Sequence, residues 1–104
     1  MNPEILVNTP RVSVVIPVRN AATMLPELLD AIFSQKPVAP NEVILVDSMS
    51  TDETRKIALS YPGVKVIPIT NFSHGRARNI GVQATKNDFI VLMTQDAVPK
   101  NNAW

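Results

Sequence analysis

The chain has 104 residues, 45% of them hydrophobic and 18% charged, with a formal net charge of +1; this suits one small domain with a core and is too short for two. A balance so close to neutral gives no electrostatic case for nucleic acid or an anionic membrane as partner. The absence of cysteine excludes a disulfide framework, a thiolate zinc site and a cysteine nucleophile, and fits a reducing, cytoplasmic setting.

Residues 1 to 10, "MNPEILVNTP", read as a lead-in ending at Pro10, without the basic region and apolar stretch of a signal peptide. The longest apolar runs are of strand length, far below the ~20 residues that span a bilayer, so a soluble domain over 11–104 is expected. "RVSVVIPV" places Val12, Val14, Val15, Ile16 and Val18 in a nearly continuous β-branched run, the pattern of a strand buried on both faces. Asn20 is read as a helix cap, followed by Met24, Leu25, Leu28, Leu29, Ile32 and Phe33 on one helical stripe. "KPVAP" stops that helix.

"EVILVD" is a second buried strand ending at Asp47. Ser50 and Glu53 stand at capping-box spacing, which predicts a helix from near Thr51 to about Tyr61, closed by "YPG". "VKVIPI" is a third strand, and its Pro68 points to an edge or a strand end. "TNFSHG" leads to a helix with Ala77, Ile80, Gly81 and Ala84 on one face, and "FIVLMT" is the fourth strand. The β-α-β-α-β-α-β order predicts an α/β fold, a parallel sheet with helices on both faces.

Ligands of open parallel sheets bind beyond the carboxyl ends of the strands, where the strand order switches. Polar residues gather at three such ends: Arg19 and Asn20, Asp47 and Ser48, Gln95 and Asp96. If the first and fourth strands are neighbours, the crevice lies between them. Each aspartate also suits an ordinary turn, and His74 has no second histidine to share a metal with. "HGRAR" reads either as a solvated helix start or as an anion site built from arginines and free backbone N–H groups.

"VSVVIPVRN", "ILVDSMSTDET", "GRARNIG" and "FIVLMTQDAVP" occur in this order, and together they resemble the front half of the family 2 glycosyltransferases, enzymes of the GT-A fold. "FSHGRARN" and "TQDA" are most similar to the rhamnosyltransferase-like branch. The resemblance implies transfer of a sugar, rhamnose in that branch, from a dTDP- or UDP-linked donor to a saccharide acceptor with inversion, as in polysaccharide biosynthesis. It implies that Pro17, Val18 and Arg19 lie along base and ribose. Asp47, the first acid of the usual "DDGS" pattern, would accept a hydrogen bond from the pyrimidine ring N–H. Arg78 would approach the diphosphate. Asp96, the last acid of the DxD motif, would hold Mg²⁺ or Mn²⁺ against the diphosphate oxygens.

Ser48 replaces the second acid of "DDGS", and Thr94 replaces the first acid of DxD, leaving one carboxylate for the metal. The catalytic base belongs to the acceptor half of such enzymes. "NNAW" reads as an arbitrary stop, so the expectation is a donor-binding half over 11–104, inactive alone. It would belong to a cytoplasmic or membrane-peripheral parent and be prone to self-association through uncovered surfaces. A non-catalytic nucleotide-binding or interaction module of the same fold remains open. A phosphorylation receiver needs an acidic pair where Arg19 and Asn20 stand. A pyrophosphorylase needs glycines that "PVRNAAT" lacks.

Overall fold

The computed structural model describes residues 11–35, 39–71, 73–85, 87 and 89–95. Strands β1 (Val12–Val18), β2 (Glu42–Asp47), β3 (Val64–Pro68) and β4 (Phe89–Leu92) alternate with helices α1 (Leu25–Phe33), α2 (Thr54–Leu59) and α3 (His74–Gln83). The strands form one sheet in the order β3-β2-β1-β4, and every pairing is parallel. The first and fourth strands are therefore neighbours, and β3, with Pro68, lies at an edge as its sequence predicted.

The near-continuous apolar runs of β1 and β2 are explained by their position, since both are interior strands covered on both faces. Val14, Ile16, Val18, Val43 and Leu45 face α1 and α2, where Leu25, Leu28, Leu29, Ile32 and Ala58 complete one core. Val15, Ile44 and Val46 face the other way and pack with Ile69 and Ala77, the latter on α3. The result is the expected three-layer α/β sandwich. The four buried residues of α1 each contribute about 1.5–3 kcal/mol through burial.

The helix starts differ from the sequence reading. Helix α1 begins at Leu25 with Pro26 in its first turn and no side-chain cap; Asn20 is instead left-handed, φ 48°, and its Oδ1 accepts from the Thr51 N–H at 2.8 Å. Helix α2 begins at Thr54, also without a side-chain cap; the Ser50 Oγ, the acceptor a cap would use, accepts instead from the Asn20 N–H at 2.9 Å. Tertiary partners outcompeted the local capping geometry in both cases. Helix α3 is capped locally: Ser73 is extended and its Oγ accepts from the Arg76 N–H.

At the amino ends of the strands a polar cluster ties the layers together. Ser13 and Thr85 hydrogen-bond Glu42, Asn87 donates to Ser13, and Lys65 pairs with Glu42 at 3.1 Å. Burial pushes the Glu42 carboxyl up, but hydrogen bonds from Thr85, Ser13 and Lys65, with the Lys65 charge, outweigh it and hold the group below its ordinary value.

Candidate functional site

At the opposite, carboxyl end of the sheet the loops after β1 and β2 are stitched to each other. The Asn20 N–H donates to Ser50 Oγ at 2.9 Å, and the buried Ala21 N–H donates to Thr54 Oγ1 at 2.8 Å. The Ala22 N–H donates to the Asp52 carboxylate at 3.2 Å. The Thr54 hydroxyl bond is the main cause holding the Asp52 carboxyl below its usual range. These bonds fasten the β1 and β2 loops to each other, beside the point between β1 and β4 where the strand order switches.

Strand alternation decides which predicted residues meet. Val18 pairs in register with Asp47, and Pro17 with Val46, so Asp47 shares the α1/α2 face with Val18 while Pro17 faces α3. Pro17 and Arg78 come together there: with Leu92, Met93 and Thr94 they line a crevice of about 370 Å³ between β1, β4 and α3. Val18 is buried in the core, so only its backbone is available to a ligand. Arg19 is exposed, and its backbone N–H donates to Gln95 Oε1 at 2.8 Å.

Asp47 does not line that crevice. Its side chain is fully buried. Its Oδ1 accepts from the Ser50 N–H at 3.2 Å and from the Ser50 hydroxyl, and its Oδ2 accepts from Arg55 Nε at 2.5 Å. Three of a carboxylate's roughly four acceptor positions are thus occupied, one of them by the half-exposed Arg55 side chain. Asp96 lies outside the described residues. Among the described residues no three His, Asp or Glu side chains gather to hold a metal ion, and no helix is long and apolar enough to cross a membrane.

Sequence reasoning missed Arg55, read Ser50 as a helix cap, and placed Gln95 at the end of the fourth strand without assigning it a bond. Arg55 lies eight positions after Asp47, close to the start of the predicted helix, so an ion pair across the strand-to-helix turn was readable from charge alone. Met49 was also overlooked. It occupies the glycine position of the "DDGS" pattern and is left-handed with φ 51°, a conformation glycine adopts more readily.

The profile of Glycosyl transferase family 2 matches residues 13–104. The O-antigen chain rhamnosyltransferase RfbN of Salmonella typhimurium is 36% identical over 91 residues, covering 85% of this chain and 29% of that protein. WbaN of Salmonella anatum, also an O-antigen chain rhamnosyltransferase, is 36% identical over 94 residues, covering 88% and 30%. The chain therefore spans less than a third of these relatives. Among solved structures, the mannosyltransferase PcManGT of Pyrobaculum calidifontis with GDP-Man and Mn²⁺ superposes with a TM-score of 0.75 at 29% identity, covering 89% of this chain and 29% of that one. Staphylococcus aureus TarS with UDP superposes with a TM-score of 0.72 at 28% identity, covering 83% and 27%. With its parallel GT-A sheet and a profile match over residues 13–104, the chain belongs to glycosyltransferase family 2.

Proposed function

We propose that residues 11–104 are the nucleotide-sugar-binding part of a glycosyltransferase that moves a sugar, rhamnose by its similarity to RfbN and WbaN, from a dTDP- or UDP-linked donor to a saccharide acceptor with inversion. The observation that carries this reading is the crevice at the switch point between β1 and β4, with Pro17 on one wall and Arg78 on another. A planar guanidinium suits a diphosphate, which it meets through paired N–H donors. Exposed Arg19 lies at the same strand end for base and ribose. Asp47 reads the base N–H when Arg55 turns outward, and the swap restricts that contact to a ligand able to replace the guanidinium donor.

Asp96 holds the divalent metal, Mg²⁺ or Mn²⁺, together with the donor's own phosphates; a hard cation accepts a single protein carboxylate when phosphate oxygens complete its ligands. When bound, the metal supplies Lewis-acid stabilisation of the departing diphosphate. The chain's own residues bind and orient the donor. The base that deprotonates the acceptor lies outside this stretch, so residues 11–104 bind without transferring. The setting is cytoplasmic or membrane-peripheral polysaccharide synthesis. Phe89 and Leu92, both exposed on β4, favour self-association of the chain.

Titration with UDP and dTDP, with and without Mg²⁺ and followed by amide shifts, tests the reading. Shifts centred on Arg19, Arg78 and Asp96 and strengthened by Mg²⁺ are expected, and Asp96→Ala should remove the metal dependence while leaving the fold intact. A folded protein that answers neither nucleotide overturns the reading. Binding without transfer in a protein extended to the length of its relatives would assign a nucleotide-binding module instead.

A further inference from the structure

Backbone polar groups of β1 alternate between its two neighbours. The Arg11 and Val15 carbonyls accept from the Phe89 and Met93 N–H groups at 3.1 and 3.0 Å, on the β4 side. The Val12 and Val18 carbonyls accept from Asn41 and Ser48 at 2.8 and 2.9 Å, on the β2 side. Odd-numbered residues of β1 thus face β4, and the odd residue after Val15 is Pro17, which has no N–H to donate. The register between the two strands ends at Val15 and Leu92. At and beyond that last pair, Pro17, Leu92, Met93 and Thr94 line the crevice. Arg19, the next odd residue, does have an N–H, and it goes to the Gln95 side chain at 2.8 Å.

We propose that Gln95 is a positioning residue that clasps the Arg19 backbone across the gap opened by Pro17. The clasp sets the width of the crevice mouth and fixes the chain immediately before Asp96. Pro17 removes one rung, which creates room for a ligand; Gln95 restores a connection one step further out, so the two strand ends stay in step instead of fraying. The bonded atom must be the amide oxygen, because the donor is a backbone N–H and only the oxygen accepts. A neutral amide does this without adding charge beside a diphosphate. The proposal rests on the nucleotide-binding reading given above.

Two variants and two readouts test it. Gln95→Met keeps the length and unbranched shape but loses the acceptor, whereas Gln95→Glu keeps an acceptor. Amide hydrogen exchange reports the clasp in the ligand-free protein, and titration with UDP and dTDP in the presence of Mg²⁺ reports its use. In Gln95→Met the Arg19 amide should exchange about tenfold faster or more, while the Ser48 amide, bonded to Val18, stays unchanged. Nucleotide affinity should fall about threefold to tenfold, the loss expected for one net hydrogen bond. Gln95→Glu should retain Arg19 protection. Equal Arg19 exchange in wild type and Gln95→Met overturns the clasp. Faster exchange with unchanged affinity overturns its positioning role. A wild-type protein that binds neither nucleotide overturns the nucleotide reading and the positioning role with it, while the exchange result still decides whether the clasp exists.

Discussion

Asp47 and its neighbours show how single residues shape the carboxyl end of the sheet. A fully buried carboxylate is tolerated because Ser50 and Arg55 satisfy it. Removing the guanidinium with Arg55→Ala should cost about 1–3 kcal/mol, because it leaves a buried charged acceptor short of a partner; urea unfolding measures it. The Arg55 side chain is 47% exposed, so the outer part of its charge is already screened and the loss stays below that of a fully buried pair. Met49 is a second point of tension, since a left-handed backbone is unfavourable for a residue with a Cβ. Met49 is 55% exposed, so its side chain contributes little burial. Met49→Gly should raise stability by up to about 1 kcal/mol, the released strain less the added flexibility of the unfolded chain. Asn20, with φ 48°, bears a similar conformation more easily, as asparagine does. The Asn20 reading failed for a related reason: the residue type suits a cap, but its side chain found a better donor 31 positions away.

Among the elements, α3 carries Arg78 to the crevice, and its seat on the sheet depends on Gly81. A Cβ at that position would lie 2.2 Å from Val15 Cγ1. Val15 is fully buried and β-branched, so it has one favoured rotamer and little freedom to move aside. Gly81→Ala should therefore destabilise the protein by about 1–3 kcal/mol through overpacking, despite the better helix propensity of alanine. Thermal unfolding would show a lowered midpoint. If nucleotide binding uses Arg78, the same variant should weaken it while leaving the β2 end undisturbed. The placement of Gly81 on the inner face was legible from helical spacing; the closeness of approach was not, because spacing gives a direction and no distance.

For the molecule as a whole, the two ends of the sheet have different tasks. The carboxyl end is open at the β1–β4 switch point, while the amino end is closed by the polar cluster around Glu42. That cluster gives the fold an acid sensitivity with a definite sign. Because the Glu42 carboxyl is held below its ordinary value of 4.5, its contribution is fully present above that value and is lost as pH falls through the lowered folded value. Glu42→Gln should flatten the acid limb of the stability profile, measured by urea unfolding from about pH 5 downward. It should leave nucleotide binding near neutral pH unchanged, since Glu42 lies at the far end of β2 from Asp47.

The sequence alone determined the order of elements, the parallel sheet and the family, because periodic burial and ordered motifs are local properties of the chain. The switch point was decided by the tertiary pairing of β4 with β1. Tertiary structure also decided which site residues share a face: Pro17 and Arg78 meet, while Asp47 turns toward α2 and is sealed by Arg55. The same was true of the partners of Asn20, Ser50 and Gln95, all polar side chains that local spacing assigned to caps or left unassigned. Their bonds to Thr51, Asn20 and Arg19 depend on where loops from different strands converge. A polar side chain takes the best donor or acceptor within reach, and that reach is set by the folded sheet.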